Sequence, residues 1–207
     1  MKVDFVFKKK GFKKLIIFDL DETLIHTKRE EDDVADKEYL VELYGEDFVN
    51  FIPDKYVDMT DPDTDTVIKS GFFIRPYVYD LLRAVNVDYE VAVFTAGYDW
   101  YADPIIDYLD VDKDLIQHRF YRQHCQKVFF KDREFIIKDL SVFKGLDLDN
   151  VLIVDNQVFS FASHLSNGIP VVDFLGQRGD QELIKVMKYV HEISKEDNLR
   201  AVNESVF

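Results

Sequence analysis

Apolar residues gather in short, continuous runs along this chain. Leu15-Ile16-Ile17-Phe18, Val91-Ala92-Val93-Phe94 and Val151-Leu152-Ile153-Val154 are the clearest, and Ile169-Pro170-Val171-Val172 is a weaker fourth. Runs of this length predict strands buried on both faces, as in parallel sheets. Helical patterns separate them. Residues 76–84 predict a helix with Pro76 in its first turn. Others are expected at about 98–109 and 180–193, with a short helical start at Lys138-Asp139-Leu140-Ser141. A short strand is predicted at 117–121 and a strand pair within 126–137. Strands alternating with helices define an α/β fold, a doubly wound, Rossmann-like parallel sheet.

One interval breaks the alternation. Residues 28–74 mix acids with Tyr, Phe and Val, with turns at Gly45, Pro53 and Asp61-Pro62-Asp63. A plain βα connection is far shorter. We expect an insert with some strand or short-helix structure of its own, carried by a single domain spanning 1–207. Phe48, Phe51, Tyr56 and Val57 could line a pocket in it or pack beneath it.

Polar residues mark the ends of three strands: Asp19 and Asp21 after the first, Thr95 after the second, Asp155 and Asn156 after the third. In a parallel sheet these ends share one edge, where chemistry collects. Two acids one residue apart repel unless a cation, a shared proton or separate roles relieve them. Acids on one edge, a hydroxyl among small residues and a lysine suit phosphoryl transfer, which depends on positioning and charge stabilisation. Mg²⁺ on hard oxygens of Asp19, the Leu20–Asp21 region and Asp155 or Asn156 would let a phosphate approach. Thr95 and the backbone N–H groups of Ala96 and Gly97 would bind phosphate oxygens, and Lys138 would add a point charge.

At these residues the chain resembles the haloacid-dehalogenase-like phosphohydrolases. Asp19-x-Asp21-x-Thr23, Thr95, Lys138 and Asp155 match their four motifs in order. The local words Phe94-Thr-Ala-Gly97, Tyr121-Arg-Gln-His-Cys125, Lys138-Asp-Leu-Ser141 and Val154-Asp-Asn156 resemble the small C-terminal-domain, or NLI-interacting-factor-like, branch. Gln157-Val158 departs from the Ser-Pro common there. The resemblance implies that Asp19 is the nucleophile and Asp21 the general acid and base. It implies that Thr95 and Lys138 hold the phosphoryl group, that Asp155 and Asn156 complete the Mg²⁺ shell, and that Arg122 touches substrate. Arg122 is equally open to a structural salt bridge. The implied substrate is phosphoserine or phosphothreonine in a protein, with the RNA polymerase II C-terminal domain as a candidate. The implied location is nuclear or cytoplasmic.

Sixteen residues between Lys138 and Asp155 and forty-two between Thr95 and Lys138 leave no room for a large lid domain. An open site weighs against the alternative of a small phosphorylated metabolite, and retention of the acids weighs against a non-catalytic binding module. A net charge of −14 disfavours direct nucleic-acid binding. Acidic stretches such as Glu30-Glu31-Asp32-Asp33 would repel a negative substrate tail unless they are merely solvated surface. The single cysteine, Cys125, excludes an internal disulfide and reads as a small buried hydrophobe. His26, His118 and His124 show no metal spacing and read as structural or surface groups. Trp100 and Tyr101 read as packing groups, although Tyr101 could face the site. With no run of about eighteen apolar residues, no membrane span is expected, and the chain reads as a soluble, intracellular catalytic domain.

Overall fold

A computed structural model describes residues 2–28 and 52–207, with isolated positions 42 and 45 between them. Glu30-Glu31-Asp32-Asp33, Phe48 and Phe51 lie outside the described residues. The elements in chain order begin with β1 (Val3–Asp4), β2 (Leu15–Phe18), β3 (Ile25–Lys28), β4 (Lys55–Asp61) and β5 (Thr66–Ile74). Then come α1 (Val78–Val85), β6 (Glu90–Phe94), α2 (Asp99–Leu109) and β7 (His118–Phe120). The remainder is β8 (Gln126–Phe130), β9 (Arg133–Ile137), β10 (Phe143–Lys144), β11 (Val151–Asp155), β12 (Gly168–Pro170), α3 (Glu182–Ile193) and α4 (Leu199–Glu204).

The central sheet is parallel, with strand order β12-β11-β2-β6-β7. The chain builds outward from β2 on one side, then returns to place β11 on the other. The strand order therefore reverses at β2, the switch point where open α/β sheets open a crevice. The strands that carry Asp19, Thr95 and Asp155 are the three central neighbours.

Period-two alternation sends each strand's residues to two cores. Ile16, Phe18, Val91, Val93, Leu152 and Val154 pack against α1, α2 and α3. Helix α1 buries Val78, Leu81, Leu82 and Val85, the i, i+3, i+4, i+7 stripe of an amphipathic helix. Leu15, Ile17, Ala92, Phe94, Val151 and Ile153 face the second core with Phe5, Phe120, Phe143 and Phe161. This second face is covered by 3₁₀ segments at Leu140–Val142 and Val158–Asn167 and by the β1–β10 pair, not by α-helices. Aromatic rings fill the space, with Phe120 and Phe143 centroids 4.4 Å apart.

The described part of the insert is a three-stranded antiparallel sheet, β3-β5-β4. It begins directly after the Asp21 turn, because Ile25–Lys28 pairs with the end of β5. The sequence pattern started it later, since four residues of mixed polarity carry no clear period. Val57 packs against the first core, and Tyr56 stays exposed beside Lys69. The predicted strand pair is the β8–β9 hairpin. The predicted strand at 169–172 ends at Pro170, and α4 and the long 3₁₀ segment lay outside the sequence reading.

Candidate active site

Asp19 follows β2 directly, and its backbone N–H donates to the Val154 carbonyl at 2.9 Å, carrying the β2–β11 ladder one residue further. Its side chain thus enters the edge beside Asp155, the last residue of β11. Lys138, just past β9, reaches between them. Its Nζ donates to Asp19 Oδ1 and, at 2.6 Å, to Asp155 Oδ2. All three side chains are buried. Ser160 Oγ donates to Asp155 Oδ2 at 2.6 Å and the Gln157 N–H to Asp155 Oδ1 at 2.8 Å, so this carboxylate is held on both oxygens. Thr23 Oγ1 lies 3.1 Å from Asp19 Oδ2 and 3.3 Å from Asn156 Oδ1, and it accepts from the Asn156 N–H at 3.2 Å.

Asp21 sits on the next turn, where Glu22 adopts a left-handed φ of 58°. Such strain in a non-glycine residue clusters at functional sites. Tyr101, from α2, donates its hydroxyl hydrogen bond to Asp21 Oδ1, and Thr27 Oγ1 lies 3.4 Å from the same oxygen. Thr95 follows β6 and accepts the Gly97 N–H on Oγ1 at 2.9 Å. Its hydroxyl proton stays available for an incoming oxygen, whereas the Gly97 N–H is already engaged. A Cβ on Gly97 would come within 2.9 Å of the Tyr101 ring and 3.2 Å of Thr95 Oγ1. Glycine here is what lets Tyr101 reach Asp21.

These groups line a cleft of about 410 Å³ that includes Asp19, Asp21, Thr95, Ala96, Lys138, Asp155 and Asn156, together with Glu134, Phe135, Ile136 and Phe159. Arg122 stands behind Ala96. Its guanidinium donates to the Ala96 carbonyl at 3.0 Å, lies 5.3 Å from the Tyr98 ring centroid and is 4.0 Å from Glu134. The structural reading of Arg122 finds its contacts here: it props the turn after β6 and approaches Glu134, and it is not among the residues that line the cleft.

Burial dominates the electrostatics. It pushes the Asp19 carboxyl up to about 7, against the lowering pull of Lys138. It also lifts Asp21 to about 6, against the Tyr101 hydrogen bond. Burial alone would lower Lys138, but Asp19 and Asp155 outweigh it and hold the ammonium above the ordinary lysine range. Three acids thus share one buried cation, an excess of negative charge that a hard cation would relieve. Among the described residues no three acid, histidine or cysteine side chains form a metal cage. The donors on offer are two carboxylates, the Asn156 amide oxygen and nearby backbone, a set that suits Mg²⁺, which keeps several waters.

Burial pushes the Cys125 thiol up to about 11, which leaves it an unreactive neutral group. His118 pairs with buried Glu90 at 2.6 Å, His124 Nδ1 accepts the Tyr121 N–H, and His26 lies 3.1 Å from Glu22. Sequence reasoning missed Ser160, Thr27 and, above all, Arg75. Arg75 is fully buried and bidentate to Asp180, with 2.9 Å to each carboxylate oxygen, and it also donates to the Thr23 and Val172 carbonyls at 3.1 and 2.8 Å. It ties the Asp19 turn to the loop before α3. Its position before Pro76 was the sole local hint, because residue i−1 of a proline sits outside the helix.

Comparison with known proteins fits this geometry. The family model for NLI interacting factor-like phosphatase matches residues 14–200, and the chain belongs to that family. CTD nuclear envelope phosphatase 1B of Danio rerio is 31% identical over 192 residues, 92% of this chain and 71% of that protein. CTD small phosphatase-like protein 3 of Caenorhabditis elegans is 33% identical over 86% of this chain and 53% of its own length. Nuclear envelope morphology protein 1 of Schizosaccharomyces pombe is 30% identical over 91% of this chain and 35% of its own length. The chain therefore spans about half, or less, of the length of several curated relatives. Among solved structures, Fcp1, an essential RNA polymerase II CTD phosphatase, superposes with TM-score 0.59 at 17% identity, covering 89% of this chain and 51% of that one. A haloacid dehalogenase-like hydrolase from Xanthomonas campestris matches with TM-score 0.51 at 15% identity over 99% of both chains. The fold is haloacid-dehalogenase-like.

Proposed function

We propose that this chain is a Mg²⁺-dependent protein phosphatase of the phosphoserine/phosphothreonine type, acting through an aspartyl-phosphate, and that residues 1–207 act as one catalytic domain with its insert. The observation that carries the reading is Lys138 held between Asp19 and Asp155 at the adjoining strand ends, with Thr95 on the third.

The Asp19 carboxylate attacks phosphorus in line, and the bond from phosphorus to the seryl or threonyl oxygen breaks. Asp21 gives its proton to that oxygen. A carboxyl lifted to about 6 by burial keeps a protonated fraction at neutral pH and is poised for the task. In the second half, Asp21 takes a proton from water as the water attacks the aspartyl-phosphate. Inorganic phosphate leaves and the Asp19 carboxylate is restored. Thr95 donates to a phosphoryl oxygen, Lys138 stabilises Asp19 and the charge developing beside it, and Arg122 braces the Ala96–Gly97 turn. Mg²⁺, held by Asp19, the Leu20–Asp21 region and Asp155 or Asn156, supplies charge neutralisation when bound.

The open cleft and the names of the relatives support a phosphoprotein substrate, with the RNA polymerase II C-terminal domain as a candidate. Relatives named for the nuclear envelope support a nuclear placement over a cytoplasmic one. Among the described residues no helix is long and apolar enough to cross a membrane. The test is release of phosphate from p-nitrophenyl phosphate and from phosphoserine peptides with and without Mg²⁺. Metal-dependent turnover lost in Asp19→Asn supports the reading, and turnover unaffected by that change refutes it.

A further inference from the structure

Two hydroxyls reach the Asp21 carboxyl, and both arrive on one oxygen. Tyr101, from α2, donates to Oδ1, and Thr27 Oγ1, from β3, lies 3.4 Å from the same atom. The hydroxyls also meet each other, 2.7 Å apart. Each has one proton to give. A separation of 2.7 Å is an ordinary O–H···O bond, whereas 3.4 Å is too long for a good one. With the Tyr101 proton on Oδ1, the Thr27 proton goes to the Tyr101 oxygen. Donation thus runs from Thr27 to Tyr101 to Asp21 Oδ1.

Packing holds this order. Thr27 directly opposes Phe72 of β5, so the two side chains share a face of the insert sheet. Phe72 is buried edge-on against Tyr108 of α2, with centroids 5.7 Å apart. Tyr108 follows Tyr101 by about two helical turns, on the same stripe of the helix. The insert face that carries Thr27 is therefore the one seated on the Tyr101 stripe of α2. Asp21 lines the cleft, and neither Thr27 nor Tyr101 does. Oδ2 is the oxygen left for the cleft.

We infer that Thr27 is a positioning residue through which the first strand of the insert orders the acid step. The inference deepens the phosphatase reading above and rests on it. Oδ1 stays an acceptor, so the proton of the neutral Asp21 carboxyl sits on Oδ2. From there it passes to the seryl or threonyl oxygen as the bond to phosphorus breaks. The same Oδ2 then takes a proton from the water that attacks the aspartyl-phosphate.

The experiment compares kcat/KM, which reports the step that forms the aspartyl-phosphate, for a phosphoserine peptide and for p-nitrophenyl phosphate. Thr27→Val keeps the side-chain shape and the strand preference and removes the hydroxyl. It should lower kcat/KM for the peptide about fivefold, the worth of one hydrogen bond. The loss for p-nitrophenyl phosphate should be much smaller, because its leaving group needs no proton. Thr27→Ser should keep the wild-type rates. Added to Tyr101→Phe, Thr27→Val should cost nothing further, because Thr27 acts through the Tyr101 hydroxyl. Urea midpoints check the fold, and Thr27→Ala serves as a second variant without the hydroxyl. Wild-type rates in Thr27→Val and Thr27→Ala, equal losses on both substrates, or additive losses in the double variant overturn the inference and leave the phosphatase reading intact. An inactive wild type overturns both.

Discussion

The central sheet buries an acid with a basic partner at each of its two ends, and the two places differ in what surrounds them. At the amino end, Glu90 opens β6 and meets His118 at 2.6 Å, one acid to one base, with the Phe5 ring tilted against the imidazole at 4.6 Å and the Lys9 N–H on the other carboxylate oxygen. At the carboxyl end, Asp19 and Asp155 share the Lys138 ammonium, Asp21 lies within reach of its charge, and all of them open on a cleft. Burial of charge alone does not mark chemistry. An excess of like charge facing an opening does, because it is a cost that the fold keeps and a ligand can relieve.

The sharpest way to break the comparison is to neutralise one acid at each end. Asp19→Asn should cut turnover of p-nitrophenyl phosphate by about a thousandfold or more. The same change removes like-charge crowding, so the urea midpoint should hold or rise. Glu90→Gln should do the reverse, leaving turnover near wild type and costing about 1–3 kcal/mol of stability. Loss of activity in Glu90→Gln with the fold intact would erase the distinction.

Lys138→Met separates the two functions of a shared cation. It leaves Asp19 and Asp155 unpaired in the interior, so activity should vanish and stability should fall by about 3–5 kcal/mol. A stable, active Lys138→Met protein would show that the cluster is not held by this residue.

How much of this was legible in the sequence follows from range. The strand ends are local events: an apolar run stops and a polar residue follows, so Asp19, Thr95 and Asp155 were readable, and the parallel order brought them together. The order of motifs added Lys138, which no local pattern would have chosen. Arg75 was not legible, because its partner Asp180 lies 105 residues away and only the folded chain joins them. Tyr101 was half legible: its place on α2 follows from period, but its reach to Asp21 depends on the absent Cβ of Gly97. Most of the cover of the second core was not legible, since 3₁₀ segments and tilted or edge-on rings lack the 3.6-residue period that announces a helix.

Smaller effects sharpen the carboxyl end further. Tyr101→Phe removes a donor from Asp21 and should lower turnover about tenfold for phosphoserine peptides, and less for p-nitrophenyl phosphate, whose leaving group needs no proton. Gly97→Ala should mimic it by displacing the Tyr101 ring. Equal losses on both substrates would argue that Tyr101 only packs.

The smallest effect belongs to the amino end. Burial lowers the His118 pKa despite Glu90, so the folded protein keeps the imidazole neutral longer than the unfolded chain does. That contribution to stability is complete above about pH 6.5 and is lost as pH falls from there through the folded value. His118→Asn should flatten the fall in urea midpoint between pH 7.5 and pH 5.5, with no change in turnover. A steeper fall in the variant would reverse the sign.

The most direct test of the central claim follows the phosphoryl group itself. Asp21→Asn protein with Mg²⁺ and p-nitrophenyl phosphate carrying a radiolabelled phosphoryl group, quenched in acid and digested, should hold the label on the peptide containing Asp19, because p-nitrophenolate leaves unaided while hydrolysis lacks its base. Label on another peptide, or p-nitrophenol released in a first turnover with no label retained on the protein, would contradict the assignment of Asp19 as the group that takes the phosphate.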